Sequence, residues 1–148
     1  MDVSPRLNPA YRLSPLLHTL MKRYVWHALL IAYAAAIFVA SQLPVSGGEP
    51  PFPHFDKLLH AAEFAVFFAL AWKATRHRRL VAYVMTAVYA GVDELHQLFV
   101  ATRVTSSLDL AADLFGALVA LLLLEIAHRL WLSRTHRILD RRHSKVEL

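Results

Sequence analysis

The chain has 148 residues, of which 57% are hydrophobic, a formal net charge of +5, a mean hydropathy of +0.40 and no cysteine. This length allows one domain, and the hydrophobic fraction exceeds what a soluble core of this size can bury. Disordered chains have low hydrophobicity, so that class is excluded. The lack of cysteine excludes disulfides, thiolate zinc sites, cysteine nucleophiles and iron–sulfur clusters.

Four apolar segments meet or approach the roughly 20 residues that a helix needs to cross a bilayer. Backbone amides in lipid must be hydrogen-bonded within their own segment, so each segment is expected to be a helix. The predicted fold is therefore all-α, an integral membrane four-helix bundle. Its helices are predicted over about residues 25–43, 58–74, 80–100 and 108–130.

The regions outside the predicted helices carry most of the positive charge. The bundle, residues 25–131, lies between an N-terminal tail at 1–24 and a basic tail at 132–148. The two tails, the loop between the second and third helices and the adjoining helix ends hold 14 Lys and Arg, whereas the other side has only Lys57 and Arg103. The positive-inside rule then predicts a multi-pass protein of the inner or plasma membrane with both termini cytoplasmic. Three prolines predict that the first 20 residues are loosely ordered.

The acidic residues concentrate on the opposite side of the predicted membrane. Two cations and seven acids give the outer half −5, while fourteen cations and four acids give the inner half +10. Ionisable groups inside membrane helices normally face a bundle interior or a wet cavity, so a polar pocket open to the outside is predicted. Its candidate residues are Asp56, Lys57, His60, Glu63, Asp93, Glu94, His96, Gln97, Arg103, Asp109 and Asp113.

Three motifs within this set keep a fixed order along the chain. They are Asp56-Lys57-Leu58-Leu59-His60, then Asp93-Glu94-Leu95-His96-Gln97-Leu98-Phe99, then Arg103 with Ser106, Asp109 and Gly116. Over roughly residues 30–125 this order resembles the VanZ-like family, small bacterial membrane proteins named after an accessory protein of teicoplanin resistance. The resemblance implies a cell-envelope role linked to glycopeptide resistance. It also reveals a departure, because the family usually has Asn where this chain has Asp113.

The polar residues leave several explanations open. A hydrogen-bonded network could simply hold the helices together. No cofactor is expected, but a divalent ion such as Zn²⁺ or Mn²⁺ is an alternative, with His60, Glu63, Asp93 and His96 as candidate ligands. Glycine at position 116 is expected to let another helix approach closely. The sequence has no HExxH motif and no Ser-His-Asp order, so no residue is assigned a catalytic role.

The leading hypothesis is a non-enzymatic envelope protein whose outer pocket handles a lipid-linked or cell-wall component. One alternative is a membrane-embedded acid–base or metal-dependent enzyme acting on a lipid or lipid-linked substrate. Another is a small proton-coupled carrier or a regulatory subunit. The expected partners are the lipid bilayer and, through the basic tails, anionic inner-leaflet lipids. Nucleic acid is not expected because no binding motif occurs, and homo-oligomerisation stays open.

Overall fold

The computed structural model describes residues 9–43, 51–101 and 106–143, with side chains over 24–43, 51–101 and 106–135. These residues form four α-helices and no strand, which confirms the predicted all-α class. In chain order the helices are α1 (Pro9–Gln42), α2 (Phe55–Ala74), α3 (Arg79–Gln97) and α4 (Ser107–His143).

The helix ends differ from the predicted ones. The prediction that the first 20 residues are loosely ordered is wrong from Pro9 onward, because α1 begins there. Proline suits a first helical position because its missing N–H would have no partner there, and extending a helix costs less than nucleating one. At the other end of the chain, α4 continues to His143. The predicted domain boundaries near residues 24 and 132 stay predictions.

Helix α2 lies at the centre of the bundle and contacts each of the other three helices. Its large aromatic residues explain this position, because Phe64 and Phe68 are fully buried and Phe67 stacks on Tyr89 with ring centroids 4.6 Å apart. Such offset aromatic contacts add to the free energy gained by burying the rings. In the described part of the chain, no Cα atoms of α1 and α4 lie within 8 Å of each other.

The most extensive helix contact joins α2 and α4, and it depends on Gly116. A Cβ atom at this position would overlap the carbonyl oxygen of Ala61 and lie 2.6 Å from its carbonyl carbon. Only glycine therefore lets the two backbones approach this closely. The expected role of Gly116 in close helix packing is confirmed.

Tyrosine hydroxyls link the helices through backbone carbonyls. The hydroxyl of Tyr33 on α1 donates to the carbonyl oxygen of Glu63 at 3.2 Å, and that of Tyr89 on α3 donates to Ala34 at 2.6 Å. The hydroxyl of Tyr83 on α3 donates to the carbonyl oxygen of Leu114 on α4 at 3.3 Å. These bonds position α1 against α2 and α3, and α3 against α4.

Two of the helices are long and apolar enough to cross a membrane, over Tyr24–Gln42 and Ser107–Thr135. Only 17% and 22% of their most apolar windows are buried, so most of their apolar surface points outward. Helices α2 and α3 do not meet the same standard, because α2 carries four charged residues along its length and α3 ends in the polar residues of 93–97. The length and composition of the described helices thus identify two candidate spans of the four predicted.

The bundle has two chemically different ends. At the basic end, residues 72–79 meet residues 125–131, where Glu125 pairs with Arg79 at 3.1 Å and with Arg129 at 2.9 Å. The His77 ring lies 4.2 Å from the Trp72 ring, and burial together with the nearby Lys73 lowers the pKa of His77. At the acidic end, residues 55–60 meet residues 93–97 and 106–113.

Candidate functional site

Most of the predicted pocket residues meet at the acidic end, where α2 begins, α3 ends and α4 begins. The spacing explains why each helix contributes several groups, since residues three, four or seven positions apart share one helix face. Buried polar residues here include Asp93, Gln97, Asp109 and Asp113. Polar groups buried in this way require partners or a ligand, because desolvation is costly.

Lys57 connects the starts of α2 and α4. Its ammonium group lies 2.8 Å from the Asp56 carboxylate and donates a hydrogen bond to Asp109. Burial acts to lower the pKa of Lys57, but the hydrogen bonds to Asp109 and Asp56 outweigh it and raise the pKa. The hydrogen bond from Lys57 also lowers the pKa of Asp56. Lys57 is therefore a cation committed to two carboxylates.

His60 lies between two carboxylates of α4. Its Nδ1 is 3.0 Å from Oδ1 of Asp113, and its Nε2 is 3.9 Å from Oδ1 of Asp109. Asp113 is fully buried, whereas His60 keeps 16% of its side chain exposed. The hydrogen bond at Nδ1 thus orients the imidazole ring, while the Asp109 carboxylate lies beyond hydrogen-bond distance of Nε2.

Three buried carboxylate oxygens at this end have no hydrogen-bond partner among the described residues. They are Oδ1 of Asp93, Oε1 of Glu94 and Oδ2 of Asp113. The second oxygen of each carboxylate has a partner. Asp93 accepts a hydrogen bond from the Gln97 amide at 2.8 Å, and Glu94 accepts one from the Ser106 N–H at 3.4 Å. Asp113 pairs with His60. Buried polar atoms are normally paired, so each of these oxygens calls for an explanation.

His60, Glu94 and Asp113 converge most closely. Within the described ranges, one ligand atom from each lies within 4.8 Å of the other two. Of the four candidate metal ligands predicted from sequence, only His60 belongs to this group. Glu94 projects about 100° around the helix from Asp93, which directs it toward α4 and leaves Asp93 with Gln97 on α3.

The remaining candidates lie around this group or beyond it. His96 shares a 2.9 Å hydrogen bond with Gln42 and packs against the Phe38 ring on α1 with ring centroids 4.3 Å apart, and it does not belong to this group. Glu63 lies one turn after His60 on α2 and interacts with it electrostatically. Arg103 falls at 102–105, outside the described residues. Gln42 was not predicted, and its only signal is an amide at the end of a long apolar segment.

A cavity of about 250 Å³ opens beside the cluster, between α3 and α4. Glu94 provides its acidic wall, and the other walls are largely apolar. Its lining residues are Glu94, Leu95, Leu98, Ser106, Ser107 and Leu110. The cavity therefore gives one of the clustered carboxylates access to the surface.

The fold and site define a small all-helical protein with outward-facing apolar helices and an acid–histidine cluster buried at one end. The model of the protein family described as VanZ/LLP1 matches residues 5–128, and the chain belongs to that family. The resemblance seen in the three motifs is thereby confirmed. Neither the curated proteins nor the solved structures contain a significant match to this chain.

Proposed function

We propose that this VanZ-family chain is a four-span membrane protein with both termini in the cytoplasm. In this arrangement the acidic end of the bundle faces the outside of the cell membrane. The cluster between α2, α3 and α4 binds a component of the cell envelope, a lipid-linked or cell-wall molecule. Through that contact the protein lowers sensitivity to glycopeptides such as teicoplanin.

One observation carries this proposal: acids from three helices gather at one end of a bundle whose opposite end is basic. The outward apolar faces of α1 and α4 support burial in lipid, and α2 is shielded by its neighbours. The distribution of Lys and Arg supports the orientation. Asp109 and Lys57 pair with each other and join the starts of α2 and α4 at this end.

The orientation can be measured by labelling single cysteines, since the natural chain has none and gives no background. We expect Pro51→Cys to react with a membrane-impermeant maleimide in intact cells. Arg78→Cys should react only after the membrane is permeabilised, because it lies at the basic end. Both positions are exposed, so the difference in labelling reports the side of the membrane. Labelling of Arg78→Cys in intact cells would overturn the orientation.

The resistance role is tested by deleting the gene and measuring growth inhibition by teicoplanin. We expect the minimal inhibitory concentration to fall on deletion and to return with the natural chain. Asp109→Asn should fail to restore it, because this change disrupts the link between Lys57 and α4. Glu125→Gln at the basic end is the matched control and should restore it. Unchanged susceptibility after deletion would remove the resistance role and leave envelope binding to be tested by itself.

A membrane-embedded enzyme is the second candidate. Asp93, Glu94 and Asp113 favour it, because each has one buried carboxylate oxygen with no partner in the described part of the chain, and such oxygens suit proton transfer or metal binding. The apolar cavity beside Glu94 is suited to the acyl part of a lipid substrate. This candidate predicts turnover of a lipid-linked substrate, whereas the first predicts binding alone.

A further inference from the structure

We infer that His60, Glu94 and Asp113 bind one divalent transition-metal ion, Zn²⁺ or Mn²⁺, at the junction of α2, α3 and α4. The inference deepens the proposed function and rests on the same site. It differs from the ligand set that the sequence predicts, since Glu94 and Asp113 replace Glu63, Asp93 and His96.

The first argument is that two buried carboxylate oxygens have no hydrogen-bond partner among the described residues. Asp113 is fully buried and its Oδ2 has no partner among the described residues, although its Oδ1 is directed at His60. The Oε1 atom of Glu94 is likewise buried without a partner among the described residues, and Glu94 belongs to the same group of convergent ligands. A bound cation satisfies both oxygens at once. Lys57 is not available for this role, because Asp56 and Asp109 already engage it.

The second argument is the chemistry of the donors. One imidazole nitrogen and two carboxylates form a set that zinc and manganese accept, whereas magnesium favours oxygen ligands and several waters. The two carboxylates also carry the charge that neutralises a dication. Three protein ligands leave a coordination position open, and Glu94, one of the three, lines the cavity between α3 and α4.

The third argument concerns the orientation of His60. A metal-binding histidine usually donates its other ring N–H to a carboxylate, which fixes the tautomer. With Nδ1 turned to the Asp113 side, Nε2 faces Oδ1 of Asp109 at 3.9 Å, so Asp109 is the nearby carboxylate on that side and a shift of less than about 1 Å would bring it within hydrogen-bond distance. Lys57 holds that same carboxylate oxygen in place. Lys57 and Asp109 thus act as positioning residues for the histidine ligand.

The test uses the full chain in nanodiscs of phosphatidylcholine, stripped with EDTA and dialysed. Calorimetric titration with ZnCl2 or MnCl2 should give about one tightly bound ion per chain, and desalted protein should retain it. Asp113→Asn and Glu94→Gln should each weaken binding at least about 100-fold, more than loss of a positioning residue. Asp109→Asn should weaken it about 10-fold, as expected for such a residue.

Two control variants test whether the loss of ion binding is specific to the His60–Glu94–Asp113 cluster. Glu125→Gln removes an acid at the basic end and should bind the ion as the natural chain does. His96→Gln should do so as well, because His96 contacts Gln42 and lies outside the cluster. Thermal melting of each stripped variant reports whether it is folded. Glu94 is only partly buried, so Glu94→Gln tests the site even if Asp113→Asn does not fold.

Three results would overturn the inference. These are no stoichiometric ion, unchanged affinity in both Glu94→Gln and Asp113→Asn, and loss of the ion in His96→Gln. A proton shared between the carboxylates would give the first result. If no ion binds while resistance still depends on Asp109, the proposed function stands and the metal site does not. If the ion binds but deletion leaves teicoplanin susceptibility unchanged, the metal site stands and the resistance role does not.

Discussion

Gly116→Ala is expected to destabilise the bundle by about 3 kcal/mol or more, because overpacking a well-packed core costs about 1–3 kcal/mol and occasionally more. The added methyl group would overlap the backbone of Ala61 rather than a side chain that could turn away. Helices α2 and α4 would have to separate along their whole contact. Thermal unfolding of the purified chain in detergent, followed by tryptophan fluorescence, measures the effect.

Gly91→Ala is the matched control, since Gly91 also lies inside a helix. Apart from its chain neighbours and the nearby backbone of its own helix, no atom lies within 4 Å of a Cβ built there. Alanine is favoured over glycine in a helix by about 0.5–1 kcal/mol, so this change should be neutral or slightly stabilising. Equal melting temperatures for the two variants would show that α2 and α4 do not approach at Gly116.

His60→Leu, measured in EDTA, is expected to destabilise the chain by about 3 kcal/mol. Removing one partner of a buried pair leaves the other uncompensated, which costs about 3–5 kcal/mol when that group stays charged and about 1–3 kcal/mol otherwise. The orphaned group is Asp113, which has no exposed surface. Its Oδ2 already has no partner among the described residues, so the loss leaves both oxygens unpaired.

The matching substitution Asp113→Asn separates this effect from a general loss of packing. It removes the acid, keeps the size and leaves an amide that still pairs with the imidazole. We expect little change in stability from Asp113→Asn alone. In the double variant it should recover at least about 1 kcal/mol of the loss caused by His60→Leu, within the range for contacting residues. Strictly additive effects would show that His60 and Asp113 are not coupled.

The exposed ion pairs at the basic end provide a second comparison. Glu125 contacts Arg79 and Arg129, whose side chains are 56% and 74% exposed. Exposed pairs of this kind contribute little to stability because solvent screens them, so Glu125→Gln should change the free energy of unfolding far less than His60→Leu. The comparison tests whether the loss of stability on substitution at the acidic end depends on the burial of its charged groups rather than on their number.

The helices and the acidic end could be predicted from sequence because each depends on local pattern. Apolar segments longer than most core helices indicated four helices, and residues at helical spacing indicated which polar groups share a face. The role of Gly116 followed from the same kind of reasoning. The family was recognisable because motifs on three helices keep their order, from Asp56 to Gly116.

The ligand set could not be predicted, because it depends on how the helices rotate against each other. Asp93 and Glu94 are adjacent and differ only in their direction around α3. Packing of α3 against α4 places Glu94 beside Ser106 and leaves Asp93 facing Gln97. His96 was directed elsewhere for a similar reason, since α1 covers it with Gln42 and Phe38. Helix ends also depend on tertiary contacts rather than on composition.

The close approach at Gly116 has a mechanical consequence. The backbone contact between Gly116 and Ala61 and the Lys57–Asp109 bond, about one to two turns apart, join α2 and α4 near the acidic end, so these two helices are expected to move together there. Helix α1 is attached more lightly, by side-chain packing on α2 and hydroxyl bonds such as those of Tyr33 and Tyr89. A displacement of α1 would therefore disturb His96 and Gln42 while leaving the distances between His60, Asp109 and Asp113 unchanged.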